Sequence, residues 1–202
     1  MTARHAHPAC AEDAALLAEC RVTTGRTGGP GGQNRNKVET AVVITHVTTG
    51  LVSRASERRS QLENRQMALR RMRLLLAIEV RGVAERAPPR VKPGGDVADF
   101  VAALDASAGK KGKPSSAASD LWRARVRTDG GLAVNVRHHD YPALLAEAFD
   151  VLADEDWEPK GAADRLGVTA SQLVKFIGKE GAAFEKFNAL RARAGKKALY
   201  AK

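Results

Sequence analysis

The sequence predicts an α+β protein: a small antiparallel sheet, one long helix, then a β-hairpin followed by a helical C-terminal module. Three observations predict it. Ala41-Val42-Val43-Ile44-Thr45-His46-Val47 is β-branched almost throughout and runs into a turn at Thr48-Thr49-Gly50. Ser60-Gln61-Leu62-Glu63 is a helix-opening signature followed by apolar residues at helical spacing. From Pro142 onward, helical periods are broken by Gly167 and Gly195.

The 202 residues suffice for one large or two small domains, and 44% hydrophobic content supports a packed core. The net charge is +10, unevenly spread. Residues 21–81 hold 12 Lys/Arg against 4 Asp/Glu, whereas residues 121–202 hold 14 against 11. Nucleic acid is therefore the first partner to expect, ahead of an acidic membrane surface or protein. Two cysteines, Cys10 and Cys20, make no disulfide framework, so a reducing cytoplasm is expected. No apolar run approaches a membrane span, and Met1 to Pro8 lacks the core of a signal peptide.

Taken in order, residues 11–20 read as a short helix with Leu16, Leu17 and Cys20 on one side. His5, His7, Cys10 and Cys20 match no standard zinc spacing, so no metal is expected. Arg21-Val22-Thr23-Thr24 is a short β-like entry to a glycine-rich run, and Asn34 to Thr40 suits one or two helical turns. Ala41–Val47 and Leu51–Ala55 form a hairpin across Gly50. The long helix starts at Ser60, whose side chain caps it while Glu63 reaches back. Leu62, Leu69, Met72 and Leu76 share its apolar face, and it ends near Arg81 or Gly82, before Pro88-Pro89. Residues 83–120 are linker-like, with one short helix from Asp96 to Ala106.

The segment 121–202 opens with a second expected hairpin. Trp122, Ala124 and Val126 alternate with Arg123, Arg125 and Arg127, and Leu132, Val134 and Val136 alternate towards Arg137, across Thr128-Asp129-Gly130-Gly131. That period places all four arginines on one face, either a solvated face or an RNA contact. Pro142–Ala153 follows as a helix carrying Leu144, Leu145, Ala148, Phe149 and Leu152. Ala163, Gly167 and Leu173 suit a helix-turn-helix, which is also a common way to pack two helices. Its second helix offers only Ser171, Gln172 and Lys175 for reading DNA. A last helix, Glu180 to Ala194, packs Phe184, Phe187 and Leu190.

The functional candidate is Gly28-Gly29-Pro30-Gly31-Gly32-Gln33, flanked by Arg26, Arg35 and Lys37. Glycine loses the most backbone entropy on ordering and adds no side chain to a core, so this run bends or approaches something closely. The flanking cations make that partner anionic. A P-loop is excluded, because no Lys-Ser/Thr pair follows a glycine here, and the antiparallel hairpin excludes a dinucleotide fingerprint. Two readings remain. One is an RNA-binding loop without chemistry. The other is an active site made of backbone, in which Gly31 and Gly32 leave the Gln33 N–H free to face a developing oxyanion. No Ser/His/Asp or Cys/His arrangement can be placed elsewhere in the chain.

Gly28/Gly29-Pro30-Gly31-Gly32-Gln33-Asn34, Asn36-Lys37, Thr40-Ala41-Val42, Ile44-Thr45-His46, Thr49-Gly50, Arg59-Ser60-Gln61, Asn64-Arg65 and Ala68-Leu69 together resemble the catalytic domain of class I peptide chain release factors. They also resemble the small codon-independent peptidyl-tRNA hydrolases of ribosome rescue. The resemblance covers roughly residues 20–80. It implies a sheet packed on the long helix, and a glycine-glycine-glutamine loop that enters the peptidyl transferase centre of the large ribosomal subunit. Gly31, Gly32 and Gln33 would then be catalytic, Gln33 a candidate for N5-methylation, and no cofactor or metal is implied. Arg26, Arg35, Lys37, Arg54, Arg58, Arg59 and Arg65 would contact rRNA and tRNA, an ordinary surface arginine being the alternative for each.

Several features depart from the pattern. Only some twenty residues precede Val22, and no Pro-x-Thr or Ser-Pro-Phe reading motif is found, so stop-codon recognition is not expected. The rescue hydrolases end in a long basic tail, whereas this chain ends in a folded-looking module. Arg58 stands where the family usually has an acid. The expected organisation is an N-terminal segment 1–20, a catalytic domain 21–82, a linker 83–120, and a module 121–202 that binds RNA or a protein partner. The expected function is codon-independent hydrolysis of peptidyl-tRNA on stalled ribosomes, by a cytoplasmic monomer. A non-catalytic ribosome- or RNA-binding protein is the alternative, and a helix-turn-helix DNA regulator a distant third.

Overall fold

A computed structural model describes residues 7–26, 39–81, 118–127 and 131–200. The helical turns expected within 34–40 lie mostly outside these residues. So do the helix expected at Asp96–Ala106 and most of the turn at 128–131.

A 3-10 turn, Pro8–Cys10, and α1, Asp13–Ala18, precede three strands: β1, Cys20–Gly25; β2, Ala41–His46; and β3, Val52–Ala55. Then come α2, Gln61–Glu79; α3, Asp120–Arg125; α4, Tyr141–Asp154; α5, Pro159–Leu166; α6, Ala170–Ile177; and α7, Gly181–Arg193. The helix expected over 11–20 is thus shorter, and Cys20 belongs to β1.

The strands form an antiparallel sheet in the order β1-β2-β3, with Ile44 opposite both Val22 and Ser53. Alternation along β2 buries Val42, Ile44 and His46 and leaves Ala41, Val43 and Thr45 on the other face. Gly50 closes the β2–β3 turn at φ +71°, a backbone region that suits glycine. The buried face lies against α2, as the family resemblance implies.

Ser60 caps α2 by accepting the Glu63 N–H at 3.4 Å. Leu69, Met72 and Leu76 are buried as expected, but Leu62 is 65% exposed. Its place near the helix start is taken by Asn64, which is fully buried. Leu76, Ala77 and Ile78 are buried in succession, so this end of α2 is covered on more than one side, while Glu79 stays exposed. The sheet covers one side and α4 another. Buried residues of sheet, α2 and the later helices form a continuous core.

The second hairpin does not form. Asp120–Arg125 is helical, and only an isolated bridge, Val126 to Leu132, survives of the expected pairing. Two causes outweigh the period-two pattern. Ser119 caps the helix through the Trp122 N–H at 3.0 Å. Trp122 is fully buried, meets Phe176 edge-on, and donates its indole N–H to the Leu166 carbonyl at 2.8 Å. Four arginines therefore do not share a strand face.

The remaining helices follow the expected apolar positions. Leu144, Leu145, Ala148, Phe149 and Leu152 of α4 are buried, and so are Ala163, Leu173 and Phe187. Tyr141 donates its hydroxyl to the Phe176 carbonyl at 3.1 Å, and burial pushes its phenol up. Gly167, at φ +68°, ends α5, and Thr169 caps α6. Gly195 ends α7 at φ +72°, and Asn188 brackets both backbone groups of Leu199.

The N-terminal segment is tied to the far end of α2. His7 Nδ1 accepts the Ala9 N–H at 3.1 Å, so Nε2 carries the proton and donates to the Val80 carbonyl at 3.0 Å. Burial holds the imidazole below its ordinary value, and the nearby Arg81 cation adds to this. The folded state therefore favours neutral His7. Its stabilising share is present above the unfolded value of about 6.5 and is lost as pH falls below that towards the folded value. Urea unfolding between pH 7.5 and 5.5 should show the wild type losing more stability than His7→Gln; equal losses would place the acid sensitivity elsewhere.

Candidate functional site

Gly25 of β1 stands opposite Ala41 of β2. The glycine-rich stretch is thus the connection between two adjacent antiparallel strands, and both its ends lie at one end of the sheet. Gly31, Gly32, Gln33, Arg35 and Lys37 lie outside the described residues. What the structure describes is the base from which the stretch leaves and to which it returns.

That base is fastened by side chains from the start of α2. Asn64 Nδ2 donates to the Thr40 carbonyl at 2.7 Å and to the Arg58 carbonyl at 2.9 Å. Its Oδ1 accepts the Arg58 N–H at 2.9 Å. A buried amide with three partners is well satisfied. Gln61 Nε2, one turn earlier, donates to the Glu39 carbonyl at 3.0 Å. Across the base, Arg26 Nε sits 3.6 Å from Glu39 Oε1, an exposed pair worth little by itself. At the opposite end of the sheet, His46 Nε2 meets Glu19 Oε2 at 3.2 Å and its Nδ1 meets Thr49 Oγ1 at 2.9 Å. Ser53 Oγ donates to the Ala68 carbonyl at 2.8 Å and joins β3 to the middle of α2.

Asn64 and Gln61 are site residues that reasoning on charge and glycine missed. The family resemblance runs through both, yet assigns neither a role. One signal pointed to Asn64: it stands four residues before Ala68, in line with the buried face of α2, where a polar residue requires buried partners.

The expected RNA-contacting arginines divide by their neighbours. Arg54, Arg58, Arg59 and Arg65 are exposed, and none makes an ion pair with a described residue. Arg54 lies on the outer sheet face, opposite Val43, while Arg58, Arg59 and Arg65 flank the start of α2. Other arginines of α2 are engaged within the molecule. Arg71 pairs with Glu57 at 2.6 Å and holds that carboxyl below its usual range. Arg73 pairs with Asp13 at 2.6 Å, and Arg70 donates to the Val136 carbonyl at 2.9 Å. Of the arginines on and just before α2, the unpaired ones, Arg58, Arg59 and Arg65, therefore lie at its start, the end that fastens the base of the glycine stretch.

The second set fares differently. Arg123 pairs with Asp120, and Arg125 places Nε and Nη2 on Asp140 Oδ2 at 3.1 and 2.6 Å. Arg127 and Arg137 make no ion pair with a described residue. The acid-free basic stripe expected there is thus replaced by a helix whose two arginines are both paired, with Arg127 and Arg137 beyond its end.

His138, His139 and Asp140 form the potential metal-ligand group found among the described residues. The imidazoles stack at 4.3 Å, and His139 Nε2 lies 2.8 Å from Asp140 Oδ1. The other carboxylate oxygen is taken by Arg125, and His138 Nδ1 accepts the Asp140 N–H at 3.2 Å. These partners account for the cluster without an ion. His7, Cys10 and Cys20 do not gather with it.

A three-stranded antiparallel sheet laid on a capped helix, with a glycine-rich sequence linking its first two strands, is the class of arrangement the geometry defines. Residues 16–93 match the RF-1 domain. Peptide chain release factor 1 of Chlorobaculum tepidum is 58% identical over 52 residues, which make up 26% of this chain and 15% of that protein. The chloroplastic peptide chain release factor PrfB1 of Arabidopsis thaliana is 57% identical over 53 residues, 26% of this chain and 12% of its own. Peptide chain release factor 1 of a Nocardioides species is 42% identical over 74 residues, 36% of this chain and 21% of its own. This part of the chain is class I release factor-like, and the chain spans about a fifth or less of the length of these relatives.

The Arg125–Asp140 pair is testable. Asp140 is nearly buried, so Arg125→Ala leaves its Oδ2 without the guanidinium that pairs it and should cost about 1–3 kcal/mol in urea unfolding. Asp120→Asn, which breaks the exposed Arg123 pair, should cost under about 1 kcal/mol.

Proposed function

We propose that this chain hydrolyses the ester of peptidyl-tRNA on stalled ribosomes, independently of a codon, as a ribosome-dependent release protein. One observation carries the reading. A glycine-glycine-glutamine sequence forms the connection between two adjacent strands, over a base fastened to a capped helix, inside a stretch that matches the RF-1 domain. The relatives' names say that they are peptide chain release factors.

In this reading residues 21–82 are the catalytic domain and 83–120 a linker, while 121–202 contacts rRNA, tRNA or a protein partner. Gly31 and Gly32 shape the backbone. The Gln33 N–H faces the reacting oxygen in the peptidyl transferase centre. A water oxygen adds to the ester carbonyl carbon, and the negative charge moves to the carbonyl oxygen. Collapse of that intermediate breaks the bond to the tRNA 3′-oxygen, which leaves with a proton. The Gln33 side chain admits water and excludes larger nucleophiles, and its amide is the candidate for N5-methylation. No metal or organic cofactor enters these steps. Arg54, Arg58, Arg59 and Arg65, unpaired near the base, bind RNA phosphate, together with Arg26, with Arg35 and Lys37 of the connection, and with Arg127 and Arg137 of the module, whereas Arg123 and Arg125 are already engaged by Asp120 and Asp140. The protein acts as a cytoplasmic monomer.

Release of labelled peptide from ribosomes stalled without a stop codon tests the chemistry. The wild type should release peptide, and Gln33→Ala and Gly32→Ala should be slower by on the order of a hundredfold or more. If all three bind ribosomes but none releases peptide beyond buffer, the protein is a binding factor without activity. Replacing Arg54, Arg58, Arg59 and Arg65 together with Gln should flatten the dependence of log K for ribosome binding on log salt, by about one unit for each phosphate that is no longer neutralised. An unchanged slope would make these arginines an ordinary solvated surface.

A further inference from the structure

The strongest unassigned feature is the fastening of Glu39 and Thr40, the residues through which the glycine-rich stretch re-enters the sheet. Two α2 amides hold their carbonyls, Gln61 on Glu39 at 3.0 Å and Asn64 on Thr40 at 2.7 Å. The same Asn64 clamps both backbone groups of Arg58, in the turn between β3 and α2. One buried side chain thus joins three pieces of backbone: the entry to β2, the turn before α2, and α2 itself.

We propose that Asn64 and Gln61 are positioning residues for peptide release, acting through the Thr40 and Glu39 carbonyls to fix where the connection between β1 and β2 stands relative to α2. This rests on the function proposed above. Neither side chain is required to touch substrate. Their part is geometric: chemistry by a backbone N–H tolerates little displacement, because no flexible side chain can take up the error.

Stability alone does not account for the arrangement. Gln61 is exposed, and its amide could bond water instead, so its hydrogen bond contributes little to folding. Asn64 pairs three backbone groups and so supports the fold as well, which is why its role is read from the release rate and not from stability. Ser53, which binds the Ala68 carbonyl, joins the same sheet to the same helix well away from the base and serves as the structural control.

The test compares Gln61→Ala, Asn64→Asp and Ser53→Ala in the full chain. Asn64→Asp keeps the volume and the acceptor for the Arg58 N–H but sets a carboxylate oxygen against two carbonyls. Single-turnover peptide release is measured against protein concentration on stalled ribosomes, together with thermal unfolding. Gln61→Ala should keep the melting temperature and the half-saturating concentration while releasing peptide several-fold more slowly. Asn64→Asp should lose on the order of ten- to a hundredfold in maximal rate. Ser53→Ala should lower the melting temperature and leave the rate near wild type. If Gln61→Ala and Asn64→Asp release at the wild-type rate, or if Ser53→Ala slows release as much as they do, the positioning role is overturned.

A readout independent of activity separates this from failure of the proposed function. Amide hydrogen exchange over residues 39–41 should quicken in Gln61→Ala and Asn64→Asp, while exchange over 42–46 and 52–55 stays as in the wild type. That pattern with a wild type that releases nothing would sink the enzymatic reading and leave the fastening intact. Unchanged exchange over 39–41 would sink the fastening itself.

Discussion

Helix α2 has buried residues around too much of its surface for any single neighbour to cover. Ala68 and Met72 are buried in its middle, and Leu76, Ala77 and Ile78 in succession near its end. The sheet takes one side and α4 another, while His7 and Arg73 tie the N-terminal segment along it. The sheet, the N-terminal segment, α4 and α7 all pack on this helix, and α5 and α6 are held through α4 and α7. The start of α2 carries the polar fastening of the glycine-rich connection, and its end carries the apolar junction with the C-terminal helices.

That division explains the distribution of charge. Where α2 is enclosed, its arginines must find partners, and Arg70, Arg71 and Arg73 each have one within the molecule. Where it emerges near Ser60, Arg58, Arg59 and Arg65 stand in solvent beside the connection. A basic composition thus becomes a local cationic surface through the burial of the rest of the helix, and not through any run of basic residues in sequence.

Periodicity and punctuation made much of the fold legible beforehand. The β-branched run at 41–47, Gly50, the Ser60 cap, and the glycines at 167 and 195 each act within a few residues, and each appears as expected. What was misread depends on partners distant in sequence. Residues 122–127 alternate like a strand, but Trp122 reaches the Leu166 carbonyl and Arg125 reaches Asp140, and these contacts favour a helix. Leu62 keeps the spacing of the apolar face yet is exposed, the start of α2 being fastened by the amides of Gln61 and Asn64 instead. The family resemblance pointed to Gly31, Gly32 and Gln33, while the hydrogen bonds of Asn64 and Gln61 needed coordinates, because an amide's partners leave no periodic trace.

The burial of Trp122 has an optical consequence. Both tryptophans, Trp122 and Trp157, lie in the C-terminal half, one fully enclosed against Phe176 and the other half-covered beside Phe149. The sheet and α2 contain none. Intrinsic fluorescence therefore watches the helices that press on α2 and is blind to the strands. Loosening of the sheet from α2 would pass unseen in emission, though it would register in the far-ultraviolet circular dichroism, and a gap between the two signals would mark the order in which the faces of α2 come apart.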